Sequence, residues 1–481
     1  MSITNPPELD RRRRLLVLAI CCISLLIVGM DNTIVNVALP SIRKDLSASV
    51  EGLQWTIDAY TLVLAALLIL SGSTADRLGR RRTFQVGLIL FTLGSLLCSL
   101  APGLGWLIAF RAVQAIGGSM LNPVAISIIT NVFTDPRERA QAIGVWGGVV
   151  GISLGIGPIL GGVLTESISW RAIFWVNVPI GVLACVLAAL FVPESRAPRA
   201  RRFDPVGQLL VIVLLASLTY GIIHAPAVGW LSWQTALLLL VAVASLAALL
   251  AYEPRRADPL IELRFFRSLP FTGATLIAVC AFGAFSGFLF IYTLYLQGDR
   301  GLNALDAGLF LLPLAVVVGV LAPISGRIVG TRGPRFPLLV AGVAMTLAGL
   351  ALTGLSDSTS YLWLIGALVV YGVGFGFVNA PITNTAVSGM PREQAGVAAA
   401  VASTSRQVGG SLGVAVIGSV INTGAGTNLA QASHPAWWIV AGAGLAVLAL
   451  GLFSTSKRAE ATARATAEHL RHEPLEPELA R

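Results

Sequence analysis

The sequence predicts an all-α integral membrane protein, built from two related six-helix units with two additional helices between them. Hydrophobic residues make up 55% of the 481 residues and charged residues only 12%, and the mean hydropathy is +0.80. A soluble protein would need far more polar surface than this composition supplies. Fourteen apolar runs are each long enough to cross a bilayer. One loop pattern occurs twice along the chain, which indicates a tandem duplication.

The predicted helices divide into a first unit, a central pair and a second unit. The first six spans are 15–40, 52–71, 83–101, 105–131, 139–164 and 171–192. The central pair is 206–224 and 233–252, which form either two spans or one re-entrant hairpin. The last six spans are 269–296, 305–325, 336–355, 361–388, 395–421 and 436–454.

These spans set the predicted domains and the orientation of the chain. The domains are an N-terminal segment 1–14, a six-helix bundle 15–192, a linker 193–268 with two helices, a second bundle 269–454, and a tail 455–481. For the tail, disorder is favoured over an amphipathic helix at the membrane surface. Most of the 33 Lys and Arg residues lie in the N-terminal segment, the even-numbered loops and the tail. This asymmetry predicts a multi-pass protein of the cell inner membrane with both termini in the cytoplasm.

The composition also excludes several function classes. The net charge of +9 does not predict nucleic-acid binding, because the basic residues lie in loops between apolar runs. The five cysteines lie in apolar runs without metal-ligand spacing, so we expect no metal and no disulfide framework. No catalytic constellation and no phosphate-binding loop with a GxxxxGK[ST] pattern occurs. The sequence therefore predicts no enzyme and no cofactor, and leaves an ion gradient, or none, as the energy source.

Asp31 is the first candidate functional residue, because it lies deep in the first span. A carboxylate in hydrocarbon costs about 2.5–3.5 kcal/mol on insertion scales, so such residues are rare and commonly functional. Burial favours the protonated form of a carboxyl, and a group balanced in this way can gain and lose a proton. A structural Asp paired with a neighbouring helix is the alternative. Asn32 and Asn36 share a helix face and line a polar cavity or bond across helices.

Two further ionisable residues lie within spans. Asp58, one or two turns into the second span, is either an acid on the substrate pathway or an interfacial polar residue. Arg111 begins a stripe on the fourth span, and it should face a cavity or pair with an acid. The sequence cannot choose between Asp31 and Asp58 as its partner, and an Arg that reaches the interface is the alternative. The stripe continues through Gln114 and Asn122 on one helix face.

A charge-dense turn follows the second span, with the sequence Gly72-Ser73-Thr74-Ala75-Asp76-Arg77-Leu78-Gly79-Arg80-Arg81-Arg82. Its glycines allow a tight reversal. Any cytoplasmic loop collects arginine, but that tendency does not explain Asp76 between bracketing glycines. The second copy begins at Gly326, 254 residues after Gly72, and has Gly330 in place of Asp76.

The fifth span is rich in glycine, with small residues repeating every three or four positions. Small residues let helices approach closely, and Pro158 bends the helix or loosens its hydrogen bonding. Gly151, Gly155 and Gly157 precede this proline in a GxxxGxGP pattern. The corresponding helix of the second unit has no proline in this position.

Together these motifs resemble the major facilitator superfamily, and in particular its fourteen-helix drug:proton antiporters. The resemblance rests on Asp31–Pro40, Gly72–Arg82, Arg111–Gly118, Gly151–Pro158 and Leu305–Pro313. It implies two six-helix bundles that rock around a central cavity, with two helices added between them. Thr74 departs from the loop pattern, where the family has an apolar residue.

The resemblance also implies roles for individual residues. Asp31 would be the main proton site, and Arg111 would assist proton transfer, with Asp58 the next candidate acid. A loop that latches the cytoplasmic side would comprise Gly72, Asp76, Arg77, Gly79 and Arg80. An inter-bundle hinge would comprise Gly151, Gly155, Gly157 and Pro158. A substrate cavity would include Asn32, Asn36, Gln114, Asn122, Asn379, Asn384 and Arg406.

The predicted function is therefore proton-coupled export of lipophilic, drug-like or antibiotic compounds by alternating access. A dedicated exporter of one endogenous metabolite or lipid is the alternative, and a non-transporting sensor on the same scaffold is disfavoured by the intact loop and by Asp31. The second unit lacks acids in its cavity helices, which fits monocationic, neutral or zwitterionic substrates better than dications. The expected partners are a small lipophilic substrate, protons and membrane lipid, and the chain is expected to be a monomer.

Overall fold

A computed structural model describes residues 10–196, 203–256, 259–390, 394–423 and 428–472. Parts of the predicted N-terminal segment, linker and tail lie outside these residues. The regular structure of the described residues is helical, so the predicted all-α class is confirmed. The predicted domain boundaries stay predictions.

The first bundle consists of seven helices that pack on one another. They are α1 (Arg11–Leu46), α2 (Val50–Leu78), α3 (Arg80–Ser99), α4 (Leu104–Val132), α5 (Pro136–Ser167), α6 (Ala172–Trp175) and α7 (Asn177–Phe191). Its main contacts pair α1 with α5, α2 with α4, and α3 with both α4 and α7. Short α6 and α7 together form one span, because the chain bends only slightly between them.

The two additional helices are α8 (Pro205–Val228) and α9 (Trp233–Tyr252), followed by the 3₁₀ turns Glu253–Arg255 and Leu263–Arg267. Helix α8 runs along α2. Near one end, Gln208 Nε2 donates to the Ala66 carbonyl at 2.6 Å, and near the other, His224 Nδ1 lies 3.2 Å from Glu51 Oε1. Gln208 and His224 are sixteen residues apart, which corresponds to a rise of about 24 Å along α8. Both helices are long and apolar enough to cross a membrane, which favours two spans over a re-entrant hairpin.

The second bundle and the tail contain the remaining α-helices of the described chain. They are α10 (Leu269–Gly298), α11 (Ala304–Phe310), α12 (Leu312–Arg332), α13 (Arg335–Leu352), α14 (Tyr361–Val387), α15 (Ala395–Thr423), α16 (Leu429–Ala432), α17 (His434–Ser454) and the tail helix α18 (Lys457–His472). Thirteen spans in the described part of the chain are long and apolar enough to cross a membrane. Helix α15 is not among them. It is 29 residues long, carries Arg406 and Gln407, and packs between α10 and α2.

Polar contacts at the helix ends define two faces of the molecule. On the face that holds both chain ends, here called the termini face, Arg14 of α1 pairs with Glu138 of α5 at 2.5 Å. On the opposite face, Asp45 at the end of α1 pairs with Arg171 at 2.6 Å. Helix α5 runs from the first of these faces to the second.

The two bundles touch near the opposite face and separate toward the termini face. Gln54 Nε2 of α2 donates to the carbonyls of Val414 and Ala415 on α15, at 3.3 and 3.0 Å. These residues lie in the half of each helix nearer the opposite face. On α5, by contrast, a methyl group added at Gly144 or Gly148 would meet no atom within 4 Å. The space between the bundles therefore widens toward the termini face.

The tail forms a helix, and the expectation of disorder is wrong for residues 457–472. Helix α18 packs against α10 and the turn before it. The Leu269 amide donates to Thr462 Oγ1 at 3.0 Å, and the Ala463 methyl lies against Gly389. Ala459, Ala463, Ala467 and Leu470 are buried against the protein, whereas the charged residues face outward, which is the pattern of a docked amphipathic helix.

Candidate functional site

A buried ion pair lies inside the first bundle. Arg111 on α4 places Nη1 2.5 Å from Oδ2 of Asp31 on α1, and the two side chains are 1% and 0% exposed. The sequence left Asp31 and Asp58 as alternative partners, and the structure pairs Arg111 with Asp31. Breaking a buried pair leaves one charge uncompensated, which typically costs about 3–5 kcal/mol. A change of charge at either residue must therefore affect the other.

Neutral polar groups surround the carboxylate of this pair. Gln114 Nε2 donates to Asp31 Oδ1 at 2.8 Å and to Ser95 Oγ at 2.7 Å. Its Oε1 accepts from Arg111 Nη1 at 2.7 Å. Asn177 Nδ2 at the start of α7 also donates to Asp31 Oδ1, at 3.1 Å. The carboxylate thus accepts from Arg111, Gln114 and Asn177, which satisfies an ionised group in a dry environment.

Aromatic rings enclose the guanidinium of Arg111. Its Cζ lies 4.2 Å from the ring centroid of Tyr60 and 5.8 Å from that of Phe174. Its Nε donates to the Thr56 carbonyl at 3.1 Å. A cation over ring faces is stabilised most when water is excluded. The rings therefore hold Arg111 in place and separate the pair from solvent.

Sequence reasoning missed Ser95, Tyr60 and Asn177. Asn177 interrupts the apolar stretch of α6 and α7, and that interruption was a signal that could have been used. Ser95 gives no such signal, because a serine in a helix commonly bonds to its own backbone. Tyr60 resembles any core aromatic in sequence.

Asp58 lies at the contact between the bundles and not at the ion pair. Its side chain is fully buried on α2, and Oδ1 accepts from Thr61 Oγ1 at 3.2 Å. The Ser411 hydroxyl of α15 approaches the carboxyl across the interface. No cation of the described chain pairs with Asp58. One turn away, Gln54 makes the two carbonyl contacts that join α2 to α15.

The asparagines predicted to line a cavity in the first bundle show no hydrogen bond to Asp31 or Arg111 in the described part of the chain. Asn36 Nδ2 donates to the Asn32 carbonyl at 3.1 Å, within α1. The side-chain oxygens of Asn36 and of Asn122 on α4 are buried, and neither accepts a hydrogen bond in the described part of the chain. Only Gln114 among the predicted cavity residues of this bundle bonds directly to the pair.

The charge-dense loop forms its contacts within the first bundle. Arg80 Nη2 lies 3.1 Å from Asp76 Oδ1, and its Nη1 donates to the Ser127 carbonyl at 3.4 Å. Gly79 has a φ of 116°, a conformation that favours glycine, and a methyl group there would lie 2.6 Å from Glu194 Oε1. Glu194, which also accepts from a loop amide, was not predicted.

Two other loop residues have fewer contacts. Arg77 is exposed. Gly72 lies near α4, where a methyl group would come 4.0 Å from Pro123.

The glycines of α5 face two different neighbours. Methyl groups at Gly151 and Gly155 would lie 3.2 Å from Gly319 Cα and 3.4 Å from the Ala315 methyl, both on α12 of the second bundle. The Pro158 carbonyl also faces that bundle, at Gly308 of α11. Gly157 instead faces α1 in its own bundle.

Polar residues of the second bundle lie on α14 and α15. Arg406 on α15 donates through Nη2 to Thr383 Oγ1 on α14, and its Nε is buried without a partner. Asn379, one turn before Thr383, has a buried side-chain oxygen without a partner. Asn384 is exposed. The structure therefore brings Arg406 and Asn379 near Thr383, and it gives no contact that joins Asn384 to them.

Two helix bundles that enclose a space and hold an ion pair inside the spans define a polytopic membrane transporter. The sequence profile of the Major Facilitator Superfamily matches residues 21–414. The chain belongs to the Major Facilitator Superfamily, and it is a multi-pass protein of the cell membrane. The resemblance on which the predicted class rested is thereby confirmed.

Named relatives cover most of the chain. It is 37% identical over 410 residues to the multidrug resistance protein Stp of Mycobacterium tuberculosis, an alignment that covers 85% of this chain and 76% of the relative. It is also 37% identical over 398 residues to the tetracenomycin C resistance and export protein of Streptomyces glaucescens, covering 82% and 74%.

A solved structure shares the fold. It is a bacterial homolog of the human lysosomal transporter Spinster in an inward-facing and occupied conformation, with a TM-score of 0.62 and 17% identity. The alignment covers 95% of this chain and 98% of that one. At this identity the likeness concerns the fold alone.

Proposed function

We propose that this protein exports lipophilic, drug-like compounds across the cell membrane in exchange for protons. The names of its relatives, a multidrug resistance protein and an antibiotic resistance and export protein, support export of such compounds. The observation that carries proton coupling is the buried Asp31–Arg111 pair. Proton exchange needs a carboxyl whose protonation changes a structural contact, and this pair supplies one.

The chemistry of the pair suggests the coupling step. When Asp31 takes up a proton, it loses its charge and its ionic bond to Arg111. The guanidinium is then a buried cation without a counter-charge, which is costly in this environment. Helices α1 and α4 must rearrange to give Arg111 a new partner or access to water. Protonation of one carboxyl is thereby linked to movement of two helices.

The contacts between the bundles are the natural elements of alternating access. In this conformation α2 and α15 are joined through Gln54, while the space between the bundles widens toward the termini face. The opposite conformation requires these contacts to break. Near the interface Asp58 has only neutral partners, and we propose that its carboxyl holds a proton while the interface is closed.

The remaining predictions complete the proposal. The excess of Lys and Arg in the loops on the termini face supports the proposal that both termini lie in the cytoplasm and that the described conformation is open to the inside. The loop around Asp76 and Arg80 would latch that side when the cavity opens outward. The transporter works as a monomer in lipid. It needs no cofactor, and the proton gradient supplies the energy.

A dedicated exporter of one endogenous product is the second candidate. One relative is named for resistance to, and export of, a single compound, which favours this possibility. A substrate panel separates the two candidates, because a dedicated exporter responds to one chemical series only.

The test is proton release from purified, detergent-solubilised protein on addition of a panel of lipophilic compounds. The wild type is compared with Asp31→Asn and with Asp58→Asn, which removes an acid outside the ion pair. We expect release by the wild type, complete loss in Asp31→Asn, and partial retention in Asp58→Asn. Equal proton release by the wild type and by Asp31→Asn would show that Asp31 is not the proton site. Binding without release in every protein, across pH, would refute antiport.

A further inference from the structure

We propose that Arg406 binds an acidic group of the substrate, so that the preferred substrates are planar aromatic compounds carrying an ionised carboxylate, phenolate or sulfonate. This inference rests on the proposed export function and specifies its substrate class.

Among the residues that the structure describes, Arg406 has no acidic partner. From residue 269 to residue 454 the acidic residues are Asp299, Asp306, Asp357 and Glu393. The first three lie at helix ends or in loops, and the fourth lies outside the described residues. No described acid pairs with Arg406. An arginine within a span pairs with an acid or faces a polar cavity, and an acidic ligand would supply the counter-charge that no described residue supplies.

The nearest acid of the first bundle does not supply it. Asp58 meets α15 at Ser411, five residues further along the helix from Arg406, which is a rise of about 7.5 Å. The pair formed by Asp31 and Arg111 is already neutral and is enclosed by aromatic rings. The first bundle therefore offers no carboxylate in contact with Arg406.

The hydrogen-bonding capacity of Arg406 is largely unused. Its guanidinium has five N–H donors in a planar fork. Nη2 donates to Thr383 Oγ1, and Nε is buried without an acceptor. On α14, Asn379 lies one turn from Thr383 on the same helix face, and its side-chain oxygen is also without a partner. A bound anion would satisfy the guanidinium, and an acid or hydroxyl proton of the same ligand would satisfy the amide oxygen.

Helix packing places this group beside the space between the bundles. Helix α14 contacts α10, α12, α13 and α15 within its own bundle, and the proposal assigns the face that carries Asn379 and Thr383 to the space between the bundles. Asn379 is half-buried, and Thr383 is exposed on the same face. The proposed ligand would contact Asn379 and Thr383 together with the guanidinium of Arg406.

Aromatic side chains flank Arg406 on α10 and α14. Its Cζ lies 5.8 Å from the ring centroid of Phe282. Phe282 packs edge-on against Phe375 at 5.1 Å, and Phe375 stacks on Phe285 at 3.9 Å. Phe282 is only half-buried and so presents ring surface beside the guanidinium. A flat apolar surface next to a cation fits an aromatic ring that carries an acidic oxygen.

The test uses two fluorescent probes that share one ring system, 8-anilinonaphthalene-1-sulfonate and the neutral N-phenyl-1-naphthylamine. Binding is measured on the full chain in lipid nanodiscs, with the signal of empty nanodiscs subtracted. The wild type should bind the sulfonate about tenfold more tightly than the neutral amine, the gain expected from one charge-assisted contact. Arg406→Gln should lose this preference while binding the neutral amine unchanged, and Arg406→Lys should keep part of it. Arg327→Gln, which removes a cation at the termini face, is the matched control.

Each outcome bears on the proposal. Equal affinity of the wild type for the two probes would overturn the proposal. This result needs no variant, so the proposal can be refuted even if Arg406→Gln does not fold. Unchanged sulfonate binding in a folded Arg406→Gln protein would also overturn it. Uptake of the cation ethidium driven by a pH gradient reports the proposed function separately. If ethidium is transported and the sulfonate shows no preference, export stands and the substrate class is wrong.

Discussion

The two bundles share the backbone of one loop but not its ionic contacts. Gly79 and Gly333 occupy equivalent positions in the duplication and have φ values of 116° and 81°. Around Gly79 the carboxylate of Glu194 comes within contact distance of a methyl group added there, whereas no atom would lie within 4 Å of one added at Gly333. The turn survived in both copies because it depends on backbone conformation. Within the described part of the chain, the ionic contacts occur only in the first copy.

The arginines inside the spans of the two bundles differ in a similar way, because an acidic partner is found only in the first bundle of the described chain. In the first bundle, Arg111 is neutralised by Asp31 and enclosed by rings. In the second, Arg406 has a hydroxyl partner and a neighbouring ring, and no described acid. A closed pair suits proton coupling, because one proton changes its energy. An open cation suits recognition of a ligand. We therefore propose proton coupling in the first bundle and substrate binding in the second.

The largest expected effect is a difference in the free energy of unfolding between variants of Arg111 and of Arg406. Arg111→Gln leaves Asp31 buried without its cation and should lower the free energy of unfolding by about 3–5 kcal/mol. Arg406→Gln removes a cation that has no acid, and should leave stability unchanged or raise it slightly. Thermal unfolding of the purified variants measures both. The double variant Asp31→Asn with Arg111→Gln should recover much of the loss, and equal destabilisation by the two single arginine variants would break the comparison.

A smaller effect concerns close packing in the two bundles. A methyl group at Gly157 would collide with the Thr33 hydroxyl and lie 3.1 Å from the Met30 carbonyl, whereas at Gly319 on α12 it would meet nothing within 4 Å. Gly157→Ala should therefore cost about 1–3 kcal/mol. Gly319→Ala should be neutral or stabilising by up to about 1 kcal/mol, since alanine favours the helix. The same unfolding assay applies, and a stable Gly157→Ala protein would show that α1 and α5 can separate easily.

The smallest effect on stability is expected in the loops. Asp76 and Arg80 form a partly exposed ion pair, so Asp76→Asn should change the unfolding free energy by less than about 1 kcal/mol. If the loop latches the closed cytoplasmic side, the transport rate of this variant should still fall severalfold. Arg327→Gln in the degraded copy should leave the rate unchanged. A fall of the same size in both variants would show that the loops contribute only general basic charge.

Part of the candidate site was visible in the sequence because its residues are rare in spans. Asp31, Asp58, Arg111 and Arg406 stand out for that reason. Asn177 and Glu194 were not identified, although one completes the hydrogen bonding of Asp31 and the other meets the loop at Gly79. Their positions depend on helices that are distant in sequence. The sequence analysis ranked an amphipathic tail helix below disorder, because the apolar face of this helix consists mostly of alanines.

The sequence by itself determined the membrane class, the repeat and the identity of the charged residues. These properties are local, since composition, length of apolar runs and glycine spacing can be read within one segment. Only the tertiary structure decided that Arg111 pairs with Asp31, that Asp58 lies between the bundles, and that no described acid lies beside Arg406. Helical periodicity fixes the face on which a residue lies but not the helix that packs against it. That choice depends on contacts between segments far apart in the chain, and it distinguishes the buried Asp31–Arg111 pair from Arg406.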